Sequence, residues 1–162
     1  MDDHTRILDL LRRSYDGEPW YGPSLLEALD GVDAGLAAAR PVPSAHSIWE
    51  VVRHLTVWMM AVRRRLGGEA VEYTGDADWP PVTATSDAAW LATRDVLEQA
   101  HRALERLLLA IPATALQELV PGQRYTGAFM LHGLVQHTAY HAGQISLLKR
   151  AARDARRPGG AA

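Results

Sequence analysis

Residues 47–68 read SIWEVVRHLTVWMMAVRRRLGG, and this stretch decides the fold. Ser47 followed three residues later by Glu50 is a capping box, in which each side chain satisfies a backbone N–H at the start of a helix. Val51, Leu55, Trp58 and Val62 then recur at spacings of four, three and four, which lays an apolar stripe along one helical face. Arg53, Arg63 and Arg64 fall on the opposite face, and Gly67-Gly68 offers a C-terminal cap. The spacing predicts a helix over Ile48–Leu66 with one side in a core.

Working upstream, Pro41 and Pro43 stop whatever precedes that helix. Ile7, Leu8 and Leu11 give a first helical segment over about Asp3–Tyr15, which Gly17, Pro19, Gly22 and Pro23 interrupt. Ser24 with Glu27 is a second capping box, and Asp33 can cap one more short turn before Pro41. The first quarter is therefore a broken helical segment with a knee. Downstream, Glu69–Thr85 is longer than most helix–helix links and contains Gly75, Asp76, Trp79, Pro80 and Pro81; such loops are often functional. A third long helix spans about Asp87–Ala110, with Trp90, Val96, Leu97, Leu104 and Leu107 as core candidates. Thr126 can cap a fourth that reaches about Arg153. No alternating strand pattern competes. The expectation is an all-α helix bundle forming a single domain over residues 1–155, with 156–162 as a flexible tail.

Composition bounds the function. The chain has 162 residues, 48% hydrophobic and 22% charged, the balance of one soluble globular domain. Its formal net charge of -2 argues against a dedicated nucleic-acid partner, although Arg63-Arg64-Arg65 and the set Lys149, Arg150, Arg153, Arg156 and Arg157 are basic clusters. Both clusters sit near helix C-termini, where the helix dipole favours cations anyway. Without cysteine there is no disulfide, thiolate-ligated zinc, iron–sulfur cluster or thiol nucleophile. Lys149 is the only lysine, so Schiff-base chemistry would depend on that one side chain. The run Tyr125–Leu148 has no charged residue, but His132, His137, His141, Gln136 and Gln144 make it too polar for a bilayer. It reads as a buried helix. The start Met1-Asp2-Asp3-His4 has no apolar signal-peptide core, and a cytoplasmic location with no membrane partner is expected.

The chemistry lies in the histidines. His137 and His141 are one helical turn apart, with side chains about 5–6 Å apart at Cβ, on the stripe formed by Met130, Leu134, Ile145 and Leu148. His54 lies beside the stripe of the Ile48–Leu66 helix. Three inward imidazoles from two helices would make a divalent-metal site with open coordination positions, the pattern of catalytic rather than structural ions. On spacing alone, packed core histidines are an equal alternative. Gln144 lies near the same face and can bond a metal-bound water or another helix. Glu50 can orient His54, although its place in the capping box accounts for it as well. His132 is rotated off the face, and His4, His46 and His101 show no spacing relation and read as surface residues.

The segment from Ser47 to His54, followed by Trp58, resembles the "SIWE…H…W" segment of DinB-like proteins, and His132–Ile145 is similar to the same family's "HxxYHxGQ" helix. The similarity extends to Pro19-Trp20-Tyr21-Gly22-Pro23. This is the DinB/YfiT-like superfamily, which is distinct from the DNA polymerase that shares the name. The resemblance implies an up-down-down-up four-helix bundle and a metal triad that maps onto His54, His137 and His141. It also implies a homodimer and an association with stress responses. Among its activities are bacillithiol S-transfer and mycothiol-dependent maleylpyruvate isomerisation. It therefore points to a divalent ion such as zinc, nickel or iron, and to a small-molecule substrate, with a low-molecular-weight thiol as partner. The alternatives are a metal-dependent hydrolase and a non-catalytic metal-binding bundle. The expected substrate cleft is lined by the Glu69–Thr85 loop, with Trp79 as a contact, and by Trp20 and Tyr21 at the knee; Trp20 and Trp79 are also the aromatic residues expected on a dimer surface.

Overall fold

The computed structural model describes residues 2–156, so the expected tail beyond Arg156 lies outside the described residues. The helices are α1 (Asp3–Asp16), α2 (Leu25–Leu29), α3 (Ala34–Ala38), α4 (Ile48–Leu66), α5 (Asp87–Ala110) and α6 (Gly127–Arg156). Extended pairing among the described residues is limited to an isolated bridge between Leu119 and Thr126. The architecture is all-helical, and no helix among the described residues is long and apolar enough to cross a membrane.

Side-chain caps set where each helix begins. Asp2 accepts a hydrogen bond from the Thr5 N–H, Asp33 from Leu36 and Ser86 from Ala89. Both capping boxes are closed, Ser24 with Glu27 and Ser47 with Glu50. At the start of α6 the Thr126 hydroxyl accepts from the Phe129 N–H at 3.3 Å. Each cap satisfies donors that the helix cannot satisfy itself, which is why the starts can be read from sequence.

The core forms where α4 packs against both α5 and α6, with α1 and α2 laid on α6. Leu55, Trp49, Met59, Leu97, Leu104 and Ile145 are essentially inaccessible. Each such side chain contributes about 1.5–3 kcal/mol by leaving water. Lys149 ties α6 to the end of α2, its Nζ donating to the carbonyls of Ala28 at 2.7 Å and Asp30 at 3.1 Å.

On α5 the buried set differs from the expected one. Trp90, Leu97, His101, Leu104 and Leu108 line the inner face, whereas Val96 is exposed and Leu107 half-buried. The stripe passes through 97, 101, 104 and 108, and Val96 and Leu107 each lie one residue, about 100°, to its side. His101 is thus a core residue, not a surface one. It stacks on Tyr15 with ring centroids 3.8 Å apart, and neither ring nitrogen has a hydrogen-bond partner.

The connection from α4 to α5 turns back across α4. A single 3-10 turn at Gly75–Ala77 begins with Gly75 at φ +56°, a left-handed conformation that glycine adopts without strain. The Trp79 N–H closes onto the Gly75 carbonyl at 2.9 Å. This turn delivers Asp78 and Trp79 to the middle of α4.

Candidate metal centre

Helix α4 contributes His54, one turn before Trp58, and α6 contributes His137 and His141 from consecutive turns of one face. The packing of α4 on α6 brings the three imidazoles together. The Nε2 of His137 lies 3.0 Å from that of His54 and 2.9 Å from that of His141. One nitrogen from each ring falls within 4.8 Å of the other two. His54 and His141 are buried and His137 is half-buried.

The outer nitrogens fix how these rings present themselves. His54 Nδ1 faces only acceptors: the Asp78 carboxylate at 2.9 Å and the Asp78 carbonyl at 3.0 Å. It therefore carries a hydrogen, and Nε2 is turned toward the other rings. His141 Nδ1 donates to the Gln144 side-chain oxygen at 2.6 Å, with the amide oriented by its donation to the Tyr140 hydroxyl at 3.0 Å. His137 Nε2 faces the Nε2 atoms of both other rings at once. Burial lowers the His137 pKa to about 3, helped by repulsion from His141 and His54, and burial lowers that of His141 to about 4 against the opposing Gln144 hydrogen bond. The centre is thus three imidazole nitrogens turned toward one another, two of them on rings whose protonated form burial disfavours. That donor set fits a divalent cation bound through three imidazoles, with outer hydrogen bonds orienting the rings.

Trp79 closes one side of the centre. Its indole is sandwiched between His54 at 3.8 Å and His46 at 3.7 Å, each pair 6° from parallel. The indole N–H of Trp58 donates to Asp78 Oδ1 at 2.8 Å, so a single carboxylate oxygen locks a histidine and a tryptophan of α4. Two cavities open on the centre. One, of about 360 Å³, is bounded by His54, Trp58, Arg65, Phe129, Leu134 and His137. The other, of about 530 Å³, is bounded by His46, Trp79, His137, Tyr140, His141 and Leu148. His137 is a wall of both.

Some residues stand where the sequence placed them, Glu50 in its capping box and His132 off the site among them, and others do not. Gln144 bonds within its own helix, to His141, rather than to another helix. Glu50 closes the capping box and pairs with Arg40, and the group that orients His54 is Asp78. The knee contributes neither Trp20, which is fully exposed, nor Tyr21 to either cavity; the segment around Val42–His46 takes that place. Trp79 is half-buried and packed between two imidazoles. His46 reaches the site through Trp79, and His4 bonds the Leu108 carbonyl at 2.7 Å. His132 is off the site, near Asp3 at 3.8 Å. Arg65, grouped in sequence with two arginines of the outer face, is buried.

A family profile described as the DinB superfamily matches residues 23–145. The chain belongs to the DinB superfamily. The matched span starts before α2 and ends within α6, so all three histidines of the centre, together with Asp78 and Gln144, fall inside the DinB superfamily region. No curated protein and no solved structure matches the chain.

Proposed function

We propose that this DinB-superfamily protein is a cytoplasmic divalent-metal enzyme that transfers a low-molecular-weight thiol onto a second small molecule. The observation that carries this reading is the convergence of three imidazoles at a point where two cavities meet, His137 lining both. A divalent ion held there would supply Lewis acidity, lowering the pKa of a thiol or a water. In the transfer the thiol releases its proton to solvent, its sulfur bonds to an electrophilic carbon, and the leaving group departs with the electron pair of the bond that breaks.

The protein's own residues fit two substrates better than one substrate and water. The cavities meet at His137 from opposite sides, so each can hold one reactant against the same centre. Hydrolysis would also call for a general base, and the carboxylate at hand, Asp78, already accepts from His54 and Trp58. Trp79 and His46 line the second cavity as a stacked pair.

The same reading takes the four long helices as an up-down-down-up bundle and the molecule as a homodimer. The packing of α4 on α5 and α6, and of α1 on α6, supports the first. Exposed Trp20, Phe129, Tyr140 and Leu147 supply apolar surface for the second. Light scattering that gives a monomer mass at micromolar concentration would overturn the dimer.

Elemental analysis of the purified protein is the primary test. One equivalent of a divalent metal is expected in the wild type, and almost none in the His137→Ala/His141→Ala double variant with helical circular dichroism retained. Full metal content in that variant would rule out the site. The loaded protein is then offered bacillithiol, mycothiol or glutathione with a chromogenic electrophile. Bound metal with rates no greater than those of His54→Ala would put the non-catalytic metal-binding reading in first place.

A further inference from the structure

Arg65 lies in the last turn of α4 but points inward, at 7% exposure, and lines the cavity that ends at His54 and His137. Its Nε and Nη2 donate to the Val71 carbonyl at 3.1 and 2.8 Å, and Nη1 makes a long contact of 3.4 Å to the Tyr125 hydroxyl. The guanidinium carbon stands 5.6 Å from the centroid of the Trp58 ring. No carboxylate is among these contacts. A guanidinium has five N–H donors, so donors are left over, and among the described residues no carboxylate pairs with its buried charge. A buried cation in that state is costly unless something compensates it.

The rest of the cavity is apolar: Val62, Tyr125, Phe129, Met130 and Leu134 surround the space between Arg65 and the histidines. Asp78 sits at the histidine end. The cavity therefore has a positive end, an apolar middle and an end where a carboxylate already stands. An anionic ligand is steered to lie one way round, with its charge away from Asp78. Along α4 the two ends are three turns apart, about 16 Å between Cα atoms.

We infer that this cavity binds an organic carboxylate with an apolar body, the carboxylate on Arg65 and the body reaching toward His54 and His137. In taking the histidine end as the reacting end, the inference rests on the function proposed above and gives the class of the second substrate. Binding itself needs only Arg65 and the apolar walls. Charge-assisted hydrogen bonds to the guanidinium and burial of the alkyl chain supply it.

The test uses the full-length protein in excess chelator at low ionic strength, titrated with octanoate and with 1-octanol and followed by calorimetry and tryptophan fluorescence, since Trp58 lines the cavity. Octanoate is expected to bind about tenfold or more tighter than the alcohol of the same length. Arg65→Met, which keeps the length of the side chain, should bring the two ligands to within about twofold of each other. Because Arg65 also holds the Val71 carbonyl, Phe129→Asp at an exposed position of the wall is the second variant. It should weaken octanoate severalfold more than octanol. Equal binding of the two ligands by the wild type, no binding of either, or an undiminished preference in Phe129→Asp would overturn the inference. With metal chelated, these outcomes are independent of the ion. Metal content that depends on the histidines while octanoate shows no preference would sink this inference alone, and the reverse result would sink only the metal reading.

Discussion

The indole of Trp79 lies flat on the imidazole of His54, 3.8 Å between centroids and 6° from parallel. A residue from the α4–α5 connection thereby fixes the plane of a ring on α4 whose Nε2 points at the other two histidines. Stacked aromatic pairs are worth about 0.5–1.5 kcal/mol beyond the area they bury. Trp79→Ala should therefore weaken divalent-metal binding roughly threefold to tenfold, measured by competition with a chromophoric chelator, with the helical circular dichroism unchanged. Unaltered affinity would show that the stacking adds nothing to the hold of Asp78 on His54.

Asp78 orients the same ring through hydrogen bonding. Groups that hold a ligand's outer nitrogen typically account for 10- to 100-fold in metal affinity. In Asp78→Ala the backbone carbonyl 3.0 Å from His54 Nδ1 remains and still holds the hydrogen there. The expected loss is therefore at the low end, about tenfold. The fluorescence of Trp58 should change too, since its indole N–H loses its acceptor.

Glu50 separates stability from chemistry. Its carboxylate closes the cap on α4 and does not reach His54. Glu50→Ala should cost about 1 kcal/mol of unfolding free energy in urea, and Glu50→Gln much less, because the amide can still accept from the Ser47 N–H. Neither should alter metal affinity. A selective loss of affinity in Glu50→Gln would return Glu50 to the site.

His101 predicts an acid-sensitive fold. Burial lowers its pKa to about 4 from an ordinary value near 6.5. Between those values the unfolded chain binds more protons than the folded one, so stability rises with pH there. The neutral ring's contribution is complete above about pH 6.5 and is lost as pH falls toward 4, by about 3 kcal/mol in all. His101→Leu removes two unpartnered nitrogens and this proton linkage. It should be as stable as the wild type or more so at pH 7, and should lose less stability between pH 7 and 4.5 in urea titrations. Identical pH profiles would mean that His101 is satisfied in solution.

What the sequence revealed follows from how local each signal is. The limits of α4 and α5 were legible because serine caps and terminating residues act within a turn of where they stand. The histidine pair was legible because i, i+4 spacing has one meaning on a helix. Asp78 was not, because the connection that carries it has no periodicity, and only the turn at Gly75 aims it at His54. Arg65 was misread because a run of three arginines at a helix end matches the dipole rule whichever way each one points. His101 did leave a trace: it sits on the 97, 101, 104, 108 stripe, where a polar residue in an apolar row signals burial as well as a lapse in pattern.

Lys149 is the sole side-chain amine of the chain, and both carbonyls it holds belong to the end of α2. An amine-directed reagent therefore meets one side-chain target, and that target reacts more slowly while it holds the carbonyls of Ala28 and Asp30. The rate of acylation at Lys149 becomes a built-in clock for the opening of α2 from α6, readable by mass spectrometry without introducing any label. Slower acylation when either cavity is filled would report that ligands quiet this part of the fold.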